Sequence, residues 1–257
     1  PKVIFPGQLR IAQMGGTHSD ETLSWFVHGA SPLESKTFAS AQACDQLEGI
    51  MVSDYGLNEL RKVEVLGQCY FIKKYHRRGR GLRRFMGRSR ARAEWENILL
   101  FQCLGIPTPR LVAYGETGQN GVVVTAALPD VHDLQTYAQH VLSSQFVESV
   151  IDRLSRYVRT LHRDGFVHND LKWRNILAKP DGEQVYIIDS PLGRHVPRLL
   201  IARRIVKDLA CLDKVAKYRL TRTQRLRFYL RYKDMDRLRS EDKKEITRIQ
   251  QFFKDRE

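Results

Sequence analysis

Residues 144–189 constrain this chain more than any other stretch. They open on a helix-periodic run, 144–162, in which Val147, Val150, Ile151, Leu154, Val158 and Leu161 recur at i, i+3, i+4, i+7 spacing, and Gly165 closes it. A polar cluster follows at once: Phe166-Val167-His168-Asn169-Asp170-Leu171-Lys172-Trp173-Arg174-Asn175-Ile176-Leu177. A short apolar segment, Val185-Tyr186-Ile187-Ile188, then ends on Asp189. A long apolar stripe must be covered by other elements, so this half is expected to be a packed helical unit. Its chemistry-bearing side chains fall on the loops that follow the helix.

Phosphoryl transfer needs such a set. An enzyme must orient a hydroxyl, bind a divalent cation and neutralise charge on the group in flight. Asp170 is suited to hold the acceptor hydroxyl and take its proton, and Lys172, two residues on, to reach the γ-phosphate. Asn175 offers an amide oxygen to a hard cation and Asp189 a carboxylate, which makes the pair the predicted magnesium ligands. The order His168-x-Asp170-Leu171-Lys172-x-x-Asn175, with Asp189 fourteen residues after the asparagine, resembles the catalytic loop of protein-kinase-like folds. A chance pattern in a solvated loop is the alternative, and too many positions agree for it. Asp208, in Lys207-Asp208-Leu209 on a later helix, is expected to cap the loop by accepting backbone N–H bonds.

The amino-terminal half is expected to grip ATP. Strands are predicted at 49–53, 61–66, 69–75, 111–114 and 121–125, with a helix at 90–104 stopped by Gly105-Ile106-Pro107; residues 1–48 carry no clear period. Lys73 ends Tyr70-Phe71-Ile72, where a kinase places the lysine that holds the α/β-phosphates. Lys74 competes, but strand alternation sends the two apart, and Lys73 shares a face with Phe71. On the helix, Glu94 borders an apolar stripe predicted as Trp95, Ile98, Leu99 and Gln102, and is favoured over Glu96 as the ion-pair partner of that lysine. A surface glutamate paired with an arginine is the competing reading. The phosphate loop is the poorest match: Ser53-Asp54-Tyr55-Gly56-Leu57-Asn58 has one glycine, Gly56, and reads equally well as an ordinary hairpin. The base is expected to meet backbone groups of Thr125-Ala126-Ala127-Leu128, chiefly at Ala126 and Leu128. The predicted architecture is α+β with two unlike lobes. Residues 1–127 form the nucleotide-gripping unit with an amino-terminal extension, and 128–257 a helical unit carrying the catalytic and metal loops.

Composition narrows the partners. Lys and Arg number 43 against 29 Asp and Glu in 257 residues, a balance of +14, so anionic partners are expected. Half of residues 73–92 are Lys or Arg, with no acid among them. No run of about 18 apolar residues is present, so a membrane span is not expected, nor is a secretory signal in residues 1–10. Cys44, Cys69, Cys103 and Cys211 are scattered without metal spacing, which points to a reducing compartment, with Cys69 and Cys103 as small buried hydrophobes.

Four blocks together resemble the bacterial lipopolysaccharide core kinases, the heptose and Kdo kinase family. They are Tyr70-Phe71-Ile72-Lys73 with its basic tail, Arg92-Ala93-Glu94-Trp95 followed by Gly105-Ile106-Pro107-Thr108-Pro109, the 168–177 loop, and Lys207-Asp208-Leu209. The likeness spans about 49–235. It departs where Asp189 is followed by Ser190-Pro191-Leu192-Gly193 rather than Phe-Gly, and where Asn175 keeps the protein-kinase residue. It implies an ATP- and Mg2+-dependent transferase acting on a sugar hydroxyl of the lipid A-core glycolipid, heptose rather than Kdo, at the cytoplasmic face of the inner membrane. Arg77, Arg78, Arg80, Arg83 and Arg84 would then face anionic headgroups. A protein serine/threonine kinase is the second reading, weakened by the absence of a long segment with an Ala-Pro-Glu anchor. A nucleic-acid-binding module on a kinase-like fold is the third; nothing like an aromatic-rich RNA-binding motif supports it.

Overall fold

The computed structural model describes residues 24–76, 88–117 and 120–254. Arg77, Arg78, Arg80, Arg83 and Arg84 therefore lie outside the described residues. The amino-terminal part is one antiparallel six-stranded sheet. Its strands are β1 (Ser24–Val27), β2 (Gly49–Asp54), β3 (Asn58–Val65), β4 (Gln68–His76), β5 (Leu111–Thr117) and β6 (Asn120–Ala126), in spatial order β1-β5-β6-β4-β3-β2. Five of the six match predicted strands. The sixth, β1, is only four residues long and carries too little alternation to stand out. It pairs with β5, Phe26 opposite Tyr114. The β3–β4 turn is Leu66–Gly67, one residue earlier than the predicted Gly67–Gln68; both residues take positive φ, 48° and 76°, as a tight two-residue hairpin requires.

Two six-residue helices cover one sheet face, α1 (Pro32–Thr37) and α2 (Ala41–Gln46), each capped by a serine, Ser31 and Ser40. Glu34 of α1 is a buried anchor: it accepts from Tyr70 Oη at 3.0 Å and from Ser31 N at 2.8 Å, and pairs with Arg110. The Arg110 contact holds the Glu34 carboxyl at about 2, far below its ordinary value. A depressed carboxylate stabilises the fold at pH above its unfolded value near 4.3, and that contribution is lost as pH falls toward 2. Glu34→Gln should flatten this acid limb of stability, read as Tm against pH; an unchanged limb would place the acid sensitivity elsewhere.

The other face carries α3 (Arg90–Cys103), capped by Ser89. Gly121 permits the approach, since a Cβ there would come within 2.3 Å of Ala91 Cβ. The predicted stripe on α3 faces the sheet except at its end: Ile98 is buried there and Trp95 and Leu99 pack beside it, whereas Gln102 is exposed. The stripe leaves out Ala91, Ala93, Glu94, Asn97, Leu100 and Phe101, which are buried as well. The helix is covered by the sheet on one side and the carboxy-terminal part on another, so a single stripe does not describe it. Cys103, expected to be buried, is exposed at its last position.

Residues 127–131 lead into the helical part, where β7 (His132–Asp133) and α4 (Leu134–Tyr137) precede the long α5 (Ser144–Arg163). The predicted α5 stripe is buried throughout. Then come β8 (Phe166–Val167), a single 3-10 turn at Trp173–Asn175, β9 (Ile176–Ala178), β10 (Val185–Ile187) and β11 (Arg194–His195). The chain ends in α6 (Arg198–Arg219), α7 (Arg222–Lys233) and α8 (Ser240–Gln251), agreeing with the helical, basic remainder expected from Arg198 on. α5 packs against α7, and Phe101 and Ile106 from the end of α3 join the helical core. A β-rich unit and a helical unit thus meet along α3 and the loops after α5.

Candidate active site

The loop after β8 owes its shape to α6. Asp208 is fully buried, and its carboxylate accepts the backbone N–H of His168 at 2.7 Å and of Asn169 at 2.8 Å. Lys207 Nζ donates to the Asn169 carbonyl at 2.5 Å. Asn169 is thereby held at φ 66°, a left-handed conformation that Asn tolerates better than most residues. Asp208 has the capping role expected of it.

Asp170 follows on the inner side of this bend. Lys172 Nζ reaches its Oδ1 at 2.6 Å. Asn175 Nδ2 donates to the Asp170 carbonyl at 2.8 Å and to Oδ2 at 3.3 Å. With its amide nitrogen spent on Asp170, the buried Asn175 keeps its oxygen out of that contact, as a cation ligand requires. Trp173 fixes the turn from beneath through its indole N–H to Leu212 O at 2.8 Å.

Asp189 stands just past β10 at φ 58°, a strained position of the kind functional loops retain. Lys73 Nζ lies 2.6 Å from its Oδ1 and 3.5 Å from Glu94 Oε1. The ambiguity of the two lysines is resolved by alternation along β4: Lys74 points the other way and pairs with Asp45. Glu96, the rival of Glu94, is spent on Arg88 and Arg92 at the surface. Burial disfavours a charged Lys73, but the Glu94 and Asp189 carboxylates outweigh it and raise its pKa. Burial likewise raises Glu94, against the pull of Lys73. For Asp189 the Lys73 charge overcomes the burial cost, and its pKa falls. One ammonium between two carboxylates leaves a net negative charge facing the cleft, which a divalent cation would balance.

The remaining predicted contacts are less built. Gly56 sits at φ 68° in an open turn where a Cβ would meet nothing within 4 Å. Its N–H donates to Asp54 Oδ1 at 2.9 Å, so the turn closes on itself as a hairpin does. Ala126 N and Ala127 N are already given to Arg110 O and Cys69 O. The groups left for a base along this linker are carbonyls and the Leu128 N–H.

Several residues of the site were not read from the sequence. Asn97, one turn after Glu94, donates from Nδ2 to Ser190 O at 2.6 Å and to Gly193 O at 3.0 Å. Arg88 bonds both Asn97 Oδ1 and Gly193 O at 3.2 Å. Together they tie α3 to the loop after Asp189. The i, i+3 spacing from Glu94 was the available signal. Gly193 is needed because a Cβ would lie 2.4 Å from the Phe166 ring. Gly193→Ala should cost about 1–3 kcal/mol, a Tm fall of roughly 2–10 °C. An unchanged Tm would mean the loop has room.

The residues fit a nucleotide and a metal. Among the described residues, the orphaned buried polar atoms are Tyr75 Oη, Glu94 Oε2, His168 Nδ1, Asn169 Oδ1, Ser190 Oγ and one Arg231 nitrogen; all but the last lie in or beside this cleft. Orphans gathered at one place are what a ligand-completed site leaves. Among the described residues no cluster of three or more His, Cys, Asp or Glu could hold a metal unaided. An Asn–Asp pair suits a cation that takes its other ligands from phosphate and water.

A lysine locked to a helix carboxylate beneath a sheet, facing an Asp–Lys–Asn loop and a strand-end Asp, defines a protein-kinase-like phosphotransferase. Comparison with known proteins narrows the class. The model of the lipopolysaccharide kinase (Kdo/WaaP) family matches residues 57–232, and the chain belongs to that family. It is 29% identical over 236 residues to the lipopolysaccharide core heptose(I) kinase WaaP of Pseudomonas aeruginosa, covering 83% of this chain and 84% of that protein. A solved structure of WaaP in complex with acyl carrier protein shares its fold with a TM-score of 0.72 at 23% identity, covering 90% of this chain and 98% of that one. Family membership carries ATP as donor and an alcohol group of a sugar as acceptor.

Proposed function

We propose that this protein transfers the γ-phosphoryl group of ATP to a heptose hydroxyl of the lipopolysaccharide inner core. The observation that carries the reading is the Lys73–Glu94–Asp189 cluster set opposite the Asp170–Lys172–Asn175 loop, in a chain whose relative is named for heptose(I). Lys73, positioned by Glu94, would grip the α/β-phosphates, with the Gly56 turn above them and Ala126 and Leu128 at the base. Asn175 and Asp189 would hold Mg2+, which when bound offsets phosphate charge. Asp170 would orient the acceptor hydroxyl and accept its proton, while Lys172 neutralises charge on the oxygens in flight. Residues 1–127 would serve the nucleotide and 128–257 the acceptor.

A protein substrate fits less well. Only eight residues separate Asp189 from α6 at Arg198, too few for a long peptide-binding segment. Nucleic acid is not favoured either, since the intact carboxylate and lysine set has no use in a binding module.

The acceptor glycolipid implies work at a membrane surface. No described helix is long and apolar enough to cross a membrane, so attachment would be peripheral, at the inner face of the inner membrane. An acyl carrier protein, named with the solved neighbour, is a further partner we propose. The helical part has a mainly apolar cavity of about 800 Å³, lined by residues such as Leu134, Phe146, Ile151, Leu212 and Phe228, which suits an acyl chain.

The test is ATP consumption with purified core acceptors. Heptose-containing core should stimulate it and Kdo alone should not. Stimulation by Kdo, or by a protein acceptor only, would overturn the reading.

A further inference from the structure

We propose that the first turns of α6, with Leu199 and Leu200 at the tip and Arg194, Arg198, Arg203 and Arg204 around them, dock the protein on an anionic phospholipid surface. Leu199 is 96% exposed and Leu200 65%. Two adjacent leucines in open solvent at a helix start serve no purpose in the core. Between Asp189 and Asp208 the chain carries five cations and no acid. Several arginines elsewhere in the helical part are matched by carboxylates, among them Arg153 with Glu183, Arg159 with Asp234 and Arg225 with Asp213. Among the described residues, no carboxylate pairs with Arg194, Arg198, Arg203 or Arg204.

Helix stability does not account for this composition. Helices α1, α3, α5 and α7 begin on Ser or Thr caps, whereas α6 begins after Pro197 with no side-chain cap to offset Arg198 in its first turn. A cation there opposes the helix dipole. Apolar residues ringed by unpaired arginines are instead the composition of an interfacial helix end, the leucines entering the headgroup layer and the guanidinium groups meeting phosphates. A shallow groove beside the tip, between α6 and the end of α8, adds Arg248 to the same surface.

The surface is rigidly coupled to the active site. Leu200 precedes Asp208 by eight residues, about 12 Å along a helix, and Asp208 and Lys207 are bonded to the loop that carries Asp170. Seating the tip among headgroups would hold the Asp170 loop roughly that far above them. That suits a sugar hydroxyl projecting from a glycolipid, and this last point rests on the function proposed above.

The experiment is co-sedimentation of the full chain with vesicles of phosphatidylcholine alone or mixed with phosphatidylglycerol. The wild-type protein should bind only the mixed vesicles and be released by salt. Leu199→Ser with Leu200→Ser, and separately Arg203→Gln with Arg204→Gln, should each weaken partition by about tenfold or more. Turnover on a delipidated, water-soluble acceptor should be unchanged. As a readout independent of those variants, Leu199→Cys in a Cys103→Ser background, carrying an environment-sensitive fluorophore, should shift to the blue with mixed vesicles only. Wild-type partition in both variants, or a label that stays in water, would overturn the proposal. So would loss of binding on replacing only Arg77, Arg78, Arg80, Arg83 and Arg84, with the α6 variants intact, or a change of oligomeric state in the leucine variant, which would make a second copy the occupant. Vesicle binding that behaves as described in a protein inactive on every sugar acceptor would remove the proposed reaction and leave the docking surface standing.

Discussion

Asp170→Asn is expected to lower kcat by a hundred- to ten-thousandfold, about the contribution of a positioned general base, while ATP affinity stays within about twofold. The substitution keeps shape and one acceptor oxygen, and the bond from Asn175 Nδ2 to the backbone carbonyl of residue 170, 2.8 Å, does not involve the side chain. The loop remains pinned from behind by Asp208. What is lost is the charge that draws the acceptor proton and opposes Lys172 at 2.6 Å. Initial rates and calorimetric titration with ATP separate the two effects. Turnover at the wild-type rate would remove Asp170 from the chemistry.

Asp189→Ala should abolish productive Mg-ATP binding while leaving the fold in place. Lys73 keeps Glu94 at 3.5 Å, and the repulsion between the Glu94 and Asp189 carboxylates, which helps raise the Glu94 pKa, disappears. The 2.6 Å bond from Lys73, whose charge holds the Asp189 pKa down, is lost too, so the nucleotide-free variant should melt only slightly below the wild-type temperature. The stabilisation that Mg-ATP gives, about 2.7 kcal/mol at a hundredfold excess over Kd, should vanish with it. A thermal shift by Mg-ATP equal to wild type would move the metal site elsewhere. A large fall in the nucleotide-free Tm would make Asp189 a structural residue.

What could be read from the sequence was what strong local patterns encode. The α5 stripe, Val147 to Leu161, spans about four turns, and the loop after it concentrates Asp170, Lys172 and Asn175 in six residues, so both were legible. Lys73 and Glu94 were legible because each had one rival and one periodicity to separate it. Alternation along β4 sends Lys74 to Asp45, and the helical repeat sends Glu96 to Arg88 and Arg92. Local patterns failed where long-range packing decides. The predicted face of α3 missed Asn97, because a helix clasped between two units buries polar groups that answer to backbone carbonyls 93 and 96 positions away. β1, α1 and α2 are too short for a period, and Glu34 is buried only because Tyr70 and Arg110 arrive from distant strands. Gly56 met the expectation of a turn, and its N–H is spent on Asp54 in an i, i+2 side-chain bond that the Asp54-x-Gly56 order itself favours.

The most direct test of the account is mass spectrometry of core oligosaccharide from cells that lack this chain, complemented with the wild-type protein or with Asp170→Asn. Wild type should add one phosphate located on a heptose by fragmentation, and Asp170→Asn should leave the core unphosphorylated at that position despite equal protein levels. Cores of identical phosphate content with and without the protein, or a phosphate found on Kdo, would contradict it.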